Sequence, residues 1–183
     1  EMEWKPYTAA LMEPRLDFDP NELSTIAELD GSDYVISGEK SYIPFAADAE
    51  AMIVYANLDG GTQGFIVPTD AAGLEIRERQ KLLGLHALPL HAANFDRVRV
   101  PIEKRLGGSQ GHDFAPILDA SRVALAAMAV GGSKAAFEYA RDYAQDRDVF
   151  GVKVAQKQAI AFMLAEMATE IEAIRLLVWE AAW

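Results

Sequence analysis

Arg147-Asp148-Val149-Phe150-Gly151, followed by Gln156-Lys157-Gln158-Ala159-Ile160-Ala161-Phe162-Met163-Leu164-Ala165-Glu166-Met167-Ala168, organises the reading of this chain. Charged residues close one helical run, Gly151 breaks it, and a second run begins a few residues later. In that second run Ile160, Leu164, Met167, Ile171, Ile174 and Val178 recur at steps of three and four, the apolar stripe of a helix. Upstream, from about His112 to Asp146, Phe114, Leu118, Leu125, Met128, Ala129, Ala136 and Tyr139 share a face. Val123 to Val130 is apolar all round, which predicts burial between other helices. Two helices cannot bury such stripes alone, so the pattern predicts partner helices from a longer chain or another subunit.

Ahead of the helices the period changes to that of strands. Tyr7 to Met12 is short and apolar and ends at Glu13-Pro14, and residues 15–23 form a polar loop. Ser24–Leu29 and Tyr34–Ser37 flank Asp30-Gly31-Ser32-Asp33, a hairpin signal. Ser37-Gly38-Glu39-Lys40 reads as a turn into Ser41-Tyr42-Ile43. Met52–Ala56 and Gly64–Val67 flank Asp59-Gly60-Gly61, and Leu74–Arg77 and Ala93–Val100 complete about seven strands, with Pro101 closing the last. This spacing predicts a closed or sandwiched antiparallel sheet. The fold class is therefore α+β: a barrel- or sandwich-like β domain over 1–110, then part of an α-helical bundle over 111–183.

Composition narrows the chemistry. Half of the 183 residues are hydrophobic and a quarter charged, as in ordinary globular proteins. The net charge of −11 argues against a nucleic-acid surface, and no uninterrupted apolar run reaches membrane-spanning length. Without cysteine there is no disulfide, thiolate metal site or cysteine nucleophile, which fits a cytoplasmic protein. His86, His91 and His112 lack a metal-ligand spacing. The chain starts without methionine and stops inside a helical pattern, so it reads as an internal piece of a longer protein.

The helix pair, as Arg-x-x-Phe-Gly and then Gln-Ala-Ile-x-Phe-Met-Leu-Ala-Glu-Met-Ala, closely resembles that of the flavin-dependent acyl-CoA dehydrogenases. The likeness extends to Glu13-Pro14, to Tyr34-Val35-Ile36-Ser37-Gly38-Glu39-Lys40-Ser41-Tyr42-Ile43, to Gly64-Phe65-Ile66-Val67, to Phe95–Pro101 and to Asp119-Ala120-Ser121-Arg122, in the family's order. The resemblance implies a β middle domain followed by the opening of a helical domain. It implies oxidation of the Cα–Cβ bond of an acyl-CoA thioester with FAD, electrons passing to an electron-transfer flavoprotein, and a homo- or hetero-oligomer, dimer or tetramer.

It also implies roles for single residues. Arg147, whose planar fork suits a pyrophosphate, Phe150 and Gln158 would reach the FAD of a neighbouring subunit. Read from the residues alone, Arg147 is equally a cation at a helix end, with Asp146 or Asp148 as partner. Leu11, Met12, Tyr42 and Pro44 would line the flavin on the chain's own side. Asp119, Ser121 and Arg122 would sit at the thioester end of the substrate, although Asp119 and Arg122 at a three-residue spacing also read as an ordinary helix ion pair. Arg122 on a largely apolar face is expected to be buried and in need of that partner. No residue here serves as the base that removes the α-proton. The resemblance places that carboxylate downstream of Trp183, or at Ser121 in a minority of the family.

The own-side motif departs from the family. Asp17 and Phe18 stand where a glycine and a phosphate-binding serine are expected, and an aspartate repels phosphate. Pro44 stands where a hydroxyl and an N–H would reach the flavin N5 edge, and Leu88 replaces another serine. The neighbour-facing motif is intact. That split raises the alternative of a half-site partner or degenerate relative, lending cofactor contacts to another subunit without redox chemistry of its own.

Overall fold

The computed structural model describes residues 6–183 as two compact units, one ending at Phe114 and one running from Ala115 to Trp183. In the first, β1 (Tyr7–Ala10), β2 (Ile26–Asp30), β3 (Asp33–Pro44), β4 (Ala51–Leu58), β5 (Gly61–Pro68), β6 (Leu74–Ile76) and β7 (Leu90–Pro101) form one curled sheet. The hairpins β2–β3 and β4–β5 pair antiparallel across the predicted Asp-Gly turns. The β3–β7 and β7–β6 pairs are also antiparallel. The pairing of β1 with β4 is parallel, Tyr7 opposite Ala51 through Ala10 opposite Val54, so the sheet is mixed. Turn signals report only strands adjacent in sequence, and β1 and β4 are separated by two strands, so this pair left no local trace.

The predicted turn at Ser37–Lys40 is instead the middle of one 12-residue strand, β3. Its register against β7 shifts between Ile36 and Gly38, and again between Lys40 and Ile43. Gly38 has φ +147°, and a Cβ there would lie 2.7 Å from Thr25 Cα. The glycine is thus a bulge pressed against Thr25, just ahead of β2, where sequence alone reads a turn.

The inward positions alternate as a half-buried sheet requires. Ile36, Ile43, Val54, Phe65, Val67, Val98 and Val100 are fully buried. Phe65 meets Tyr34 edge-on at 5.0 Å, and burying it stabilises the unit by about 1.5–3 kcal/mol. Leu23 is buried, and Thr62 Oγ1 donates to Pro20 O at 2.8 Å, which fastens the 15–24 loop to the sheet.

The second unit contains α1 (Ala115–Asp146) and α2 (Gln158–Ala182), joined by a hairpin of β8 (Asp148–Val149) and β9 (Val152–Lys153) and a short 3-10 turn. On α2, Ile160, Leu164, Met167, Ile171 and Val178 are half-buried while Phe162, Met163, Leu177 and Trp179 are exposed. On α1, Leu118 is buried but Leu125, Met128 and Tyr139 are exposed, so most of the apolar stripe read from the sequence lies open. By length and composition alone α1 is also apolar enough to cross a membrane, with mean hydropathy 1.2 over its best window.

Candidate functional site

Beyond Ala10 the chain leaves the sheet as Leu11-Met12-Glu13, and a buried ion pair fixes that exit. Lys40, with no side-chain exposure, donates from Nζ to Leu11 O and to Glu13 Oε1, each at 3.0 Å. Glu13, itself 4% exposed, accepts the Thr25 amide at Oε1 and the Ser24 amide at Oε2, both at 2.8 Å. Burial would raise the Glu13 pKa, but the two amides and the Lys40 ammonium outweigh it and hold the carboxyl at about 2. Burial lowers Lys40 to about 8, against the opposing pull of Glu13. The Leu11 and Met12 carbonyls are both engaged inside the fold, the second by Ser41 N at 2.8 Å. What this segment can offer a ligand is therefore its N–H edge and the half-exposed Met12 side chain.

Next to it, Tyr42 sits at φ +54° and Phe45 at φ +50°, both 45% exposed. Two large aromatic residues in the left-handed region cost about 1–3 kcal/mol each, a strain typical of ligand-facing backbone. Between them Pro44 faces Leu90 in the ladder, and its carbonyl accepts Thr8 Oγ1 at 2.5 Å. It offers neither N–H nor hydroxyl, so a flavin edge here meets an aromatic and apolar wall. In the 15–24 loop Leu16 and Asp17 are exposed and Phe18 half-buried, while Arg15 is bound to the Glu22 carbonyl and lies 3.5 Å from Glu13 Oε2. Leu88 lies in the 82–89 loop, its amide donating to Leu85 O at 2.9 Å.

In the helical unit, Phe150 and Gly151 form the two-residue tip of the β8–β9 hairpin, at φ +53° and +79°. Positive φ at both tip positions matches the strand twist, which is why the Phe-Gly dipeptide turns here. Phe150 is 94% exposed, with Lys157 Nζ 5.6 Å from its ring centre. Lys153 Nζ donates to Asp146 O and to Asp148 Oδ2, each at 2.9 Å. Lys153 thereby takes the role of cation at the end of α1 that the sequence also allowed for Arg147. The Arg147 backbone is pinned by Tyr143 O at 3.0 Å and Val154 N at 2.9 Å, yet its exposed guanidinium has no ion pair among the described residues. Gln158 opens α2, exposed on the side of Phe162. One hairpin thus gathers Arg147, Phe150 and Gln158 at one end of the helix pair.

The residues expected at the thioester are more ordinary. Arg122 and Asp119 pair at 3.3 Å, with side chains 59% and 71% exposed, so Arg122 is not the buried charge its apolar neighbours implied. Of the apolar residues around it, Leu125 and Ala129 are exposed and only Leu118 is buried, which leaves the arginine in solvent. Ser121 Oγ donates back to Leu118 O at 2.7 Å, a local helix bond. The roles of Glu13, Lys40, Ser24, Thr25 and Lys153 emerge only from the structure. The signal for the first pair is a charge at an inward strand position, which demands a partner. Among the described residues no group of three or more metal-binding side chains occurs.

A flavin dinucleotide fits the helical end, where a free planar cation, a presented aromatic ring and an amide stand together. On the β unit it fits Tyr42 and the Leu11–Met12 edge but meets no donor at Pro44 and no small residue at Asp17 and Phe18. Residues 8–98 match the acyl-CoA dehydrogenase middle domain, and residues 114–183 the acyl-CoA dehydrogenase C-terminal domain. All of α1 lies within the stretch that matches the helical domain. The chain is 37% identical over 180 residues to a mitochondrial short-chain specific acyl-CoA dehydrogenase of Sus scrofa, covering 94% of this chain and 44% of that protein. It is 36% identical over 185 residues to the caffeyl-CoA reductase–Etf complex subunit CarC of Acetobacterium woodii, covering 97% and 49%. A crystal structure of an FAD-dependent dehydrogenase superposes with TM-score 0.83 at 30% identity, over 98% of this chain and 50% of the other. The chain thus spans about half the length of the relatives it matches. It belongs to the acyl-CoA dehydrogenase family and contains the middle β domain and part of the C-terminal helical domain.

Proposed function

We propose that this chain is the flavin-facing part of an enzyme that oxidises the Cα–Cβ bond of an acyl-CoA thioester with FAD. The observation that carries this is the helical hairpin: Lys153 satisfies the end of α1, and Arg147 and Phe150 are left presented for a ligand. In this reading Arg147 pairs with the cofactor's pyrophosphate, Phe150 packs against its adenine side, and Gln158 bonds its polar edge, all in a neighbouring subunit. Leu11, Met12 and Tyr42 line the flavin on the chain's own side. Asp119, Ser121 and Arg122 lie towards the thioester, where opening of the exposed Asp119–Arg122 pair frees the guanidinium. A bound FAD would supply the acceptor for the hydride from Cβ. The α-proton leaves to a carboxylate that these residues do not supply. The exposed apolar faces of α1 and α2 support an oligomer, homomeric or heteromeric, and the kinship with an Etf-complex subunit supports an electron-transfer flavoprotein as acceptor. The test is flavin content and bleaching by acyl-CoA in the full-length protein. A colourless protein that ignores acyl-CoA in every assembly refutes the reading.

A second reading is favoured by Pro44, Asp17 and Phe18. In it the chain lends Arg147, Phe150 and Gln158 to another subunit's flavin and holds none of its own. Flavin that appears only on co-expression with a partner subunit supports this version, and stoichiometric flavin in the homomer rules it out.

A further inference from the structure

We infer that the buried Glu13–Lys40 pair is a positioning device for the flavin-lining edge, setting the Leu11–Met12 backbone and, through Ser41, the strained Tyr42. The inference rests on the proposed function in that it takes this edge to be the ligand's. Lys40 Nζ has two partners on one short segment, Leu11 O and Glu13 Oε1, each at 3.0 Å. Glu13 is in turn anchored to the body of the unit by the Ser24 and Thr25 amides, next to the Gly38 bulge. One residue beyond Lys40, Ser41 N reaches Met12 O at 2.8 Å, and Ser41 Oγ accepts Gln80 Nε2 at 3.2 Å. The next residue is Tyr42, at φ +54°. The chain exit and the aromatic ring are therefore two ends of one hydrogen-bonded unit.

Sheet stability alone does not call for this arrangement. A lysine with no exposed side chain costs more to bury than a methionine of similar length, and ion pairs of this kind are often replaceable by apolar residues at no loss of stability. What the ammonium adds is direction: it holds a specific carbonyl inward, so that the neighbouring N–H groups of a segment outside the ladder keep one orientation. Glu13 and Lys40 touch no ligand in this account and act through the backbone they fix.

The test compares the full-length protein with Lys40→Met and with Val98→Ala, a core truncation in the same sheet chosen to match the loss of melting temperature. Because Lys40→Met strands Glu13, the double variant Glu13→Gln/Lys40→Met is measured beside it as the better-folding form. Two readouts are taken: amide hydrogen exchange at residues 11–13 and 41–42, and the dissociation constant for added FAD. Exchange at those amides is expected to quicken at least about tenfold in the Lys40 variants and not in Val98→Ala, with FAD binding weakened by about tenfold or more. Unchanged local exchange, or equal loss of FAD affinity in Val98→Ala, overturns the inference. If the unaltered protein binds no FAD in any assembly, the proposed function fails, while the exchange arm still decides whether the pair positions the segment.

Discussion

Glu13→Gln is the most informative perturbation of the β unit, because its consequence has a sign and a pH window. The carboxyl sits at about 2 in the folded protein against an ordinary value of 4.5. Between those values the unfolded chain holds a proton that the folded chain does not, so stability rises with pH there and is lost as pH falls from about 5 to about 2. At about 1.4 kcal/mol per unit, the 2.5-unit gap amounts to about 3 kcal/mol. At neutral pH the glutamine variant also leaves the Lys40 ammonium buried without its counter-charge, which costs about 3–5 kcal/mol. Urea unfolding of the full-length protein and the variant, from about pH 6 down to about pH 2.5, gives the free-energy gap directly. That gap is expected to be about 3–5 kcal/mol at the upper end and to shrink by about 3 kcal/mol at the lower. A gap that stays constant with pH refutes the claim that Glu13 is held ionised by its amides and Lys40.

Other perturbations separate the rest of the account. Gly38→Ala forces a Cβ to 2.7 Å from Thr25 Cα at a φ of +147°, so a loss of about 3 kcal/mol in denaturant unfolding is expected; a neutral effect contradicts the bulge. Arg147→Met removes an exposed guanidinium with no ion pair among the described residues, so the melting temperature should hold while flavin affinity in the assembled protein drops by about 10–100-fold. Equal losses of stability and affinity would make Arg147 structural. Pro44→Thr supplies the N–H and hydroxyl that the strand end lacks, and flavin binding is expected to tighten by about tenfold; an unchanged dissociation constant places the flavin edge elsewhere.

What was legible in the sequence follows the range of the signals. The helix stripe Ile160, Leu164, Met167, Ile171, Ile174 and Val178 and the Asp-Gly hairpins are local patterns; the hairpins form as the sequence predicts, and the stripe is half-buried except at Ile174, which is exposed. The parallel β1–β4 pair and the bulged continuation of β3 through Gly38 depend on partners far along the chain, and neither carries a local mark. Gly38 was read as a turn because glycine more often marks turns than bulges, and only Thr25 at its back tells the two apart.

The candidate site divides in the same way. Arg147, Phe150 and Gln158 are close in sequence, and one hairpin is enough to gather them. That Lys153 and not Arg147 would take the helix end is decided by side-chain reach across that hairpin, which spacing does not encode. The apolar residues beside Arg122 predict burial, yet of these only Leu118 is buried while Leu125 and Ala129 lie open, and the arginine is exposed with them. The Glu13–Lys40 pair joins residues 27 apart, and in the sequence each is only one more charge in an acidic chain.

Whether this chain belongs to a working flavin site is decided by an absorbance spectrum of the purified full-length protein, alone and co-expressed with a partner subunit. A bound flavin spectrum is expected in at least one of these assemblies, bleached on addition of an acyl-CoA. A protein colourless in both, with no spectral response to acyl-CoA after reconstitution with FAD, contradicts it.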